Sequence, residues 1–252
     1  MNDISDIVTR IISEWNSNAK ARHRQIISGE DFSYHNVLIP TIYRFVGNIK
    51  NQMIMDVGCG SGILASDLAI NGAVVIGVDP SEEMIKIAKQ EYTHIPNLEF
   101  KNITIQEYAL KFPDRQFDIA ISNMSLITIP NYEEAIFSVS KILKNKGLFI
   151  INITHPCFWN IYRKYEDPEI FQYKIPHEQR GKFIISLNNE GLPSATTHFH
   201  RPLEHYFKSL RVANFDIEDF IEPYPSSDDI DRYKLDWKVP HFLSIRCILN
   251  KS

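Results

Sequence analysis

The sequence lacks any apolar run approaching the ~18 residues that a membrane-crossing helix needs. No membrane span is therefore expected. Cysteine is scarce and odd in number, with Cys59, Cys157 and Cys247 far apart. That spacing excludes a disulfide framework and the paired ligands of a zinc site, so no metal is expected. Few cysteines suit a reducing compartment. The opening MNDISDIVTRIISEW is acidic at its start and has no signal-peptide core. Both features predict a cytoplasmic protein. Positive charge is not in excess either. Lys and Arg total 27 against 31 Asp and Glu, a formal net charge of −4, which argues against nucleic acid as a partner. There is no internal repeat and no low-complexity tract.

What is present is apolar residues, 44% of 252, with 15 Phe and 11 Tyr, enough for one substantial core. Apolar periodicity predicts a helix over Asp3 to Trp15, with Ile4, Ile7, Val8, Ile11, Ile12 and Trp15 as a buried stripe. A polar, charged segment follows, and Val37 to Val46 reads as a second helix around Pro40. From Met53 the chain alternates. Strands are predicted at Met53–Val57, Ala73–Val78, Leu98–Ile103, Phe117–Ser122 and Leu148–Thr154. Helices are predicted at Gly62–Ile70, Ser81–Tyr92 and Tyr132–Leu143. Such alternation implies an α/β fold with right-handed crossovers and a parallel sheet. Beyond Thr154 the pattern breaks into aromatics, Pro and His. There Phe183–Leu187 and Thr196–His200 are expected to pair. Leu203–Val212 reads as a helix, and Phe215–Ile221 and His241–Leu249 as late strands.

Three of the ten glycines fall within five positions, in MIMDVGCGSGILASDLA at residues 53–69. Gly58, Gly60 and Gly62 sit between a buried strand and a helix. They permit positive φ and close approach of a ligand to backbone. Asp79 ends the next strand, 21 residues after Gly58, where a carboxylate accepts from ribose hydroxyls. A dinucleotide fingerprint wants Gly or Ala at position 63, and Ile63 stands there. Asp56 precedes the turn. It would repel a pyrophosphate and attract a cationic, phosphate-free ligand. A Rossmann oxidoreductase is disfavoured on both grounds.

These strings resemble the class I S-adenosylmethionine-dependent methyltransferases, in particular the ubiquinone/menaquinone-biosynthesis-like branch (methyltransferase type 11/25). The matching residues are D-V-G-C-G-S-G at 56–62, V-I-G-V-D-P-S at 75–81, M-I-K-I-A-K at 84–89 and FPDRQFDIAISNMSLITIPN at 112–131. The resemblance is strong over roughly residues 50–155 and weaker at 199–223. It implies a Rossmann-like three-layer sandwich with a mostly parallel seven-stranded sheet of order 3-2-1-4-5-7-6. The last strand, His241–Leu249, would be antiparallel. N-terminal helices and an inserted lid after strand 5 complete the fold. It further implies one methyltransferase domain over 1–252. Its parts are a helical cap at 1–48, a cofactor-binding core at 49–154, a substrate-side insertion at 155–200 and a C-terminal helix and strands at 201–252.

Residue by residue, the resemblance places Asp56, Gly58, Cys59, Gly60 and Gly62 around the methionine portion of S-adenosylmethionine. Asp79 would hold the ribose with Pro80 beside it, and Met84 would pack near the adenine. Relatives commonly carry Asp after the third strand, where this chain has Thr104, Ile105 and Gln106, and Gln106 is the substitute contact. Asn123 and Met124 face the methionine side. Tyr34 is a further cofactor contact, and Arg22 either meets the cofactor carboxylate or packs on the surface.

The candidate catalytic residues are His155, at the rim after the fifth strand, and His200, followed by His198 and Arg201. A neutral imidazole suits proton removal near neutral pH. The alternative for His155 is packing or a backbone hydrogen bond before Pro156. His198 and His200 share a strand face. The aromatic stretch PCFWNIYRKYEDPEIFQY is either a lid over an apolar acceptor or an insertion packed on itself. Asn123-Met124-Ser125-Leu126 lacks the Pro-Pro-aromatic run of adenine methylation. Cys157 lacks a basic setting and is expected to be inert. The implied function is methyl transfer to an O, N or C atom of a small metabolite, by a monomer or homodimer. The alternative is an S-adenosylmethionine-binding protein without catalysis, in a regulatory or scaffold role.

Overall fold

The structure is a computed structural model that describes residues 4–160, 171–185, 191–233 and 237–251. The chain opens with α1 (Ile4–Ile27). A five-residue π-turn, Tyr34–Leu38, runs directly into α2 (Ile39–Val46). The alternating centre follows as β1 (Met53–Val57), α3 (Ile63–Ile70), β2 (Val74–Val78), α4 (Glu82–Tyr92), β3 (Leu98–Lys101), α5 (Ile105–Lys111), β4 (Phe117–Asn123), α6 (Tyr132–Ile142) and β5 (Leu143–Thr154). A hairpin of β6 (His177–Gly181) and β7 (Thr196–His200) comes next. The chain closes with α7 (Leu203–Val212), β8 (Phe215–Ile221), α8 (Ser227–Tyr233) and β9 (Phe242–Leu249).

The seven-stranded sheet has the order β3-β2-β1-β4-β5-β9-β8. Ile54 pairs with Val75 on one side and Ile119 on the other, both in parallel. β9 alone runs against its neighbours, with Ile151 opposite Ile245 and Phe220 opposite Ile245. This is the expected Rossmann-like order with its antiparallel seventh strand. The order reverses between β1 and β4, so the carboxyl ends of these two strands bound the crevice where ligands bind in open α/β sheets.

Both sheet faces are covered, which is why the central strands read as continuous apolar runs. Side chains alternate across β1: Met55 and Val57 enter the layer with Tyr108, Ile136, Phe149 and Phe215. Ile54 enters the opposite layer with Ile42, Leu64, Leu68 and Ala88. The helix starts follow local chemistry. Ser81 caps α4, accepting from Met84 N at 3.3 Å. Thr104 and Glu107 form a reciprocal capping box at the start of α5.

Three expectations change. The first helix continues to Ile27 because no Gly or Pro intervenes before Gly29. Its second half buries Asn18, Ala19, Gln25 and Ile26, a partly polar face that hydrophobic periodicity does not register. Of the apolar stripe of its first half, Ile11 is buried, Ile7, Val8, Ile12 and Trp15 are half-buried, and Ile4 at the helix start is 50% exposed. The partner of Thr196–His200 is His177–Gly181 rather than Phe183–Leu187, with His177 opposite His200. Polar HEQRG carries little strand signal. It is held instead by ion pairs to α1, Arg10–Glu178 at 2.5 Å and Arg180–Glu14 at 2.8 Å. Ile184 makes one bridge to Gly191, and residues 186 and 187 lie outside the described residues. The third change is β5, which begins at Leu143, paired with Phe117 ahead of a register shift. Of the aromatic stretch expected as a lid, residues 161–170 also lie outside the described residues. No helix is long and apolar enough to cross a membrane among the described residues.

Gly62 is where backbone conformation and packing coincide. Its φ is +82°, and a Cβ there would stand 2.5 Å from Phe100 Cζ and 3.0 Å from Ala88 Cβ. Phe100 is itself core. Gly62→Ala is expected to cost about 1–3 kcal/mol of stability, as overpacking does. Urea unfolding monitored by tryptophan emission checks this, and an unchanged midpoint would refute it.

Candidate cofactor and acceptor site

A cavity of about 260 Å3 opens at the carboxyl ends of β1, β2 and β4. Its floor is made by the glycine turn. Gly58 N and Cys59 N both donate to Val78 O, at 2.8 and 3.0 Å, locking the turn onto β2. The three glycines do different work. A Cβ on Gly58 would lie 2.4 Å from Ser125 Cβ, and Gly62 is filled by Phe100, so both make room for protein. Gly60, at φ +53°, meets only Met84 Sδ at 3.8 Å, so it is the glycine with space for a ligand. Gly62 does not line the cavity, which corrects its assignment to the methionine portion. Cys59 is on the wall, but its thiol is buried against Gly77, and burial raises its pKa well above the ordinary value. It is a small packing residue there, not a thiolate.

Two carboxylates face this cavity. Asp79 Oδ2 accepts from Gly60 N at 2.9 Å and Oδ1 from Ser81 N at 2.8 Å. Burial raises its pKa to about 6, against the pull of those two N–H groups. Each oxygen keeps a second lone pair for a ligand hydroxyl. Asp56 is 2% exposed, and its Oδ2 has no hydrogen-bond partner among the described residues. Burial, reinforced by Asp79, raises its pKa to about 7. Tyr34 borders the same space, and burial and the Asp56 charge push its phenol above the usual range.

Pro80, Met84, Thr104, Ile105 and Gln106 line one end of the cavity, where the adenine was expected. Thr104 Oγ1 is committed to capping Glu107 N at 3.2 Å, leaving Gln106 as the side chain of that trio with an amide for a base. Asn123 and Met124 line the opposite side. Asn123 Oδ1 accepts from Asn152 Nδ2 at 3.0 Å, and Met124 adopts φ +63°, rare for a residue with a side chain. Arg22 lines the cavity but is engaged by Asp31 at 2.6 Å and lies over the Phe183 ring. Asp31 in turn receives Tyr34 N at 3.1 Å, so this ion pair fixes the π-turn.

Both catalytic histidine candidates fall off the cavity. His155 is buried beside it, with Nε2 at 2.8 Å from Glu222 and Nδ1 receiving Cys157 N at 3.2 Å. Both ring nitrogens are spent on holding the end of β5. His200 Nε2 bonds Tyr173 O at 2.8 Å, and its ring packs on Phe171 and His177. The histidine that reaches the cavity is His198, two residues earlier on the same face of β7. Arg201 does not touch the cavity, but it donates to Leu126 O at 3.0 Å and Pro130 O at 3.2 Å, clamping the loop that forms one wall. The sequence reading also missed Val8, Ile11, Ile12 and Trp15 as wall residues. Their signal was the apolar stripe itself. Among the described residues, no cluster of His, Cys, Asp and Glu is arranged to hold a metal ion.

Comparison with known proteins agrees with this geometry. Residues 55–151 match the family described as a methyltransferase domain. The ubiquinone biosynthesis O-methyltransferase of Nitrosomonas europaea is 31% identical over 107 residues, 42% of this chain and 45% of that one. The demethylmenaquinone methyltransferase of Tropheryma whipplei is 26% identical over 133 residues, 50% of this chain and 54% of that one. The chain thus spans about half the length of these curated relatives. The crystal structure of an S-adenosylmethionine-dependent methyltransferase from Clostridium acetobutylicum shares the fold, with TM-score 0.65 and 20% identity over 93% of this chain and 99% of that one. With the sheet order, the glycine turn and the paired carboxylates in place, the chain carries a methyltransferase domain at residues 55–151 and resembles the class I S-adenosylmethionine-dependent methyltransferases.

Proposed function

We propose that this chain transfers the methyl group of S-adenosylmethionine to an O, N or C atom of a small metabolite. The observation that carries the reading is the Asp56–Gly60–Asp79 arrangement on one cavity. The cofactor, when bound, supplies a methyl carbon on a positively charged sulfur. The residues present fit it. The unpartnered Asp56 oxygen suits the ammonium of the methionine portion, Gly60 leaves room beside it, and Asp79 keeps lone pairs for ribose hydroxyls. Asn123 and Met124 face the same space from β4.

Catalysis here works mainly by placement. Methyl transfer does not require a base. Holding a nucleophile in line with the methyl carbon supplies much of the acceleration. The loss of His155 and His200 from the candidate base list therefore leaves the reading intact. The names of the relatives, together with a wall rich in Ile, Trp and Phe, support the finer reading that the acceptor is a ring compound methylated on oxygen. The test is turnover of labelled S-adenosylmethionine to S-adenosylhomocysteine with metabolite extracts. Tight binding without any turnover would favour a non-catalytic role.

Two outcomes follow for the carboxylates. Asp79→Ala is expected to weaken S-adenosylhomocysteine binding by about 1.5–3 kcal/mol, the range for hydrogen bonds to a charged group. Calorimetry decides this, with the unfolding midpoint recorded alongside. Unchanged affinity would remove Asp79 from the ribose. The second outcome concerns pH. Asp56 and Asp79 have folded pKa values raised above the unfolded carboxylate value, so the folded state binds more protons between them. Their contribution to the stability of the cofactor-free chain is fully present near pH 4 and is lost as pH rises to about 7. In Asp56→Asn that decline is expected to be shallower by urea unfolding at stepped pH, and an identical slope would contradict the assignment.

A further inference from the structure

Two segments of the chain stand outside the packed core. Among the described residues, no side chain of α1 or of the β6–β7 hairpin joins the three apolar clusters. The two are fastened to each other instead, by polar contacts. The charges cross: Arg10 of α1 meets Glu178 of β6 at 2.5 Å, and Glu14 meets Arg180 at 2.8 Å. Asn18 adds two bonds just ahead of β7, with Nδ2 donating to Ser194 O at 3.1 Å and Oδ1 accepting from Ser194 N at 3.0 Å. Both segments line the cavity, through Val8, Ile11, Ile12 and Trp15 of α1 and His198 of the hairpin.

α1 is also tied to the carboxylate end of the cavity. Asn16 Oδ1 accepts from Ser81 Oγ at 2.7 Å and from Glu83 N at 3.2 Å. Ser81 N donates to Asp79 Oδ1 at 2.8 Å, so one hydrogen-bonded chain joins Asp79 to α1. His23 Nδ1 lies 3.0 Å from Ser61 Oγ, inside the glycine turn. Just past α1, Gly29 has φ +77° and nothing within 4 Å of where its Cβ would stand. A helix held by polar ties, with an unhindered glycine at its end, can swing without disrupting the core. The cavity it borders measures about 260 Å3, less than the ~300–1,000 Å3 of pockets that take one drug-sized ligand. A donor and an acceptor together need it to widen.

Resting on the methyl-transfer reading above, we propose that α1 and the β6–β7 hairpin form one cover that closes on bound S-adenosylmethionine. Donor binding thereby assembles the wall that the acceptor meets. A ligand moves such an equilibrium only through contacts that one state has and the other lacks. Val8, Ile11, Ile12 and Trp15 supply those contacts, since they border the cavity only while α1 lies across it. Ribose hydroxyls on Asp79 hold Ser81 in place for Asn16. The crossed ion pairs carry the movement to the hairpin, and with it His198. An acceptor arriving before the donor meets an unfinished wall.

The test is hydrogen–deuterium exchange of the full chain at pH 7, with and without saturating S-adenosylhomocysteine, read by mass spectrometry. The ligand is expected to slow exchange in α1 and in the hairpin together, by at least about fivefold. In Asn16→Ala the ligand is expected still to protect the glycine turn, while α1 and the hairpin lose their response. Arg10→Glu is expected to weaken the response of the hairpin, and adding Glu178→Arg to restore it. Protection confined to the glycine turn and the start of α4 would overturn the proposal. So would a full response of α1 and the hairpin in Asn16→Ala, or a response of α1 in the parent that the hairpin does not share. Failure of the parent chain to bind S-adenosylhomocysteine by calorimetry would instead overturn the methyl-transfer reading beneath it.

Discussion

The structure turns on a carboxylate that is buried without a full set of partners. Asp56 sits at the end of β1, where the sheet order reverses, with Asp79 close enough to raise its pKa further. Leaving a charged oxygen buried and unpaired is costly, so the site holds its proton up to about pH 7. A protein built for stability alone would replace such a group with an apolar one. On the reading proposed above, that position is an attraction reserved for a cation. Contacts from neighbouring elements hold the site in place. The glycine turn anchors to Val78 O, Asp79 is oriented by Gly60 N and Ser81 N, and Ser125 Oγ reaches Val57 O at 2.5 Å to hold the end of β4 beside β1.

The far side of the cavity obeys a different rule. It is assembled by segments outside the central alternation, and polar ties fix them in place. Glu14 and Asn18 of α1 bind Arg180 and Ser194, and Asn16 accepts from Ser81 Oγ at 2.7 Å. α1 thus spans from the capped start of α4, next to Asp79, to the β6–β7 hairpin. Arg201, stacked on Tyr132, pins the loop after β4 from behind. These ties let an apolar stripe face a cavity rather than the core.

The legible and illegible parts of the sequence divide along the same line. Buried parallel strands must be apolar on both faces, so β1, β2, β4 and β5 announce themselves, and the turn between β1 and α3 carries a glycine pattern with a physical cause. The sheet order follows from the resemblance and from right-handed crossovers. The second half of α1 was not legible because its buried face is Asn18, Gln25 and Ala19 rather than a hydrophobic stripe. HEQRG was not legible as a strand because ion pairs to α1, 166 and 168 residues away, hold it. Among the histidines, spacing showed that His198 and His200 share a face. It did not show that the hairpin register turns His200 toward Tyr173 and leaves His198 on the cavity.

The most direct test of the central assignment is the proton count on cofactor binding. Titration calorimetry of S-adenosylhomocysteine at pH 7, in buffers of differing ionisation enthalpy, measures it. If the ammonium group of the ligand meets Asp56, the carboxylate must ionise on binding. A group half protonated near pH 7 then releases on the order of half a proton, and the release vanishes in Asp56→Asn. No proton release by the parent chain, or proton uptake, would contradict the account.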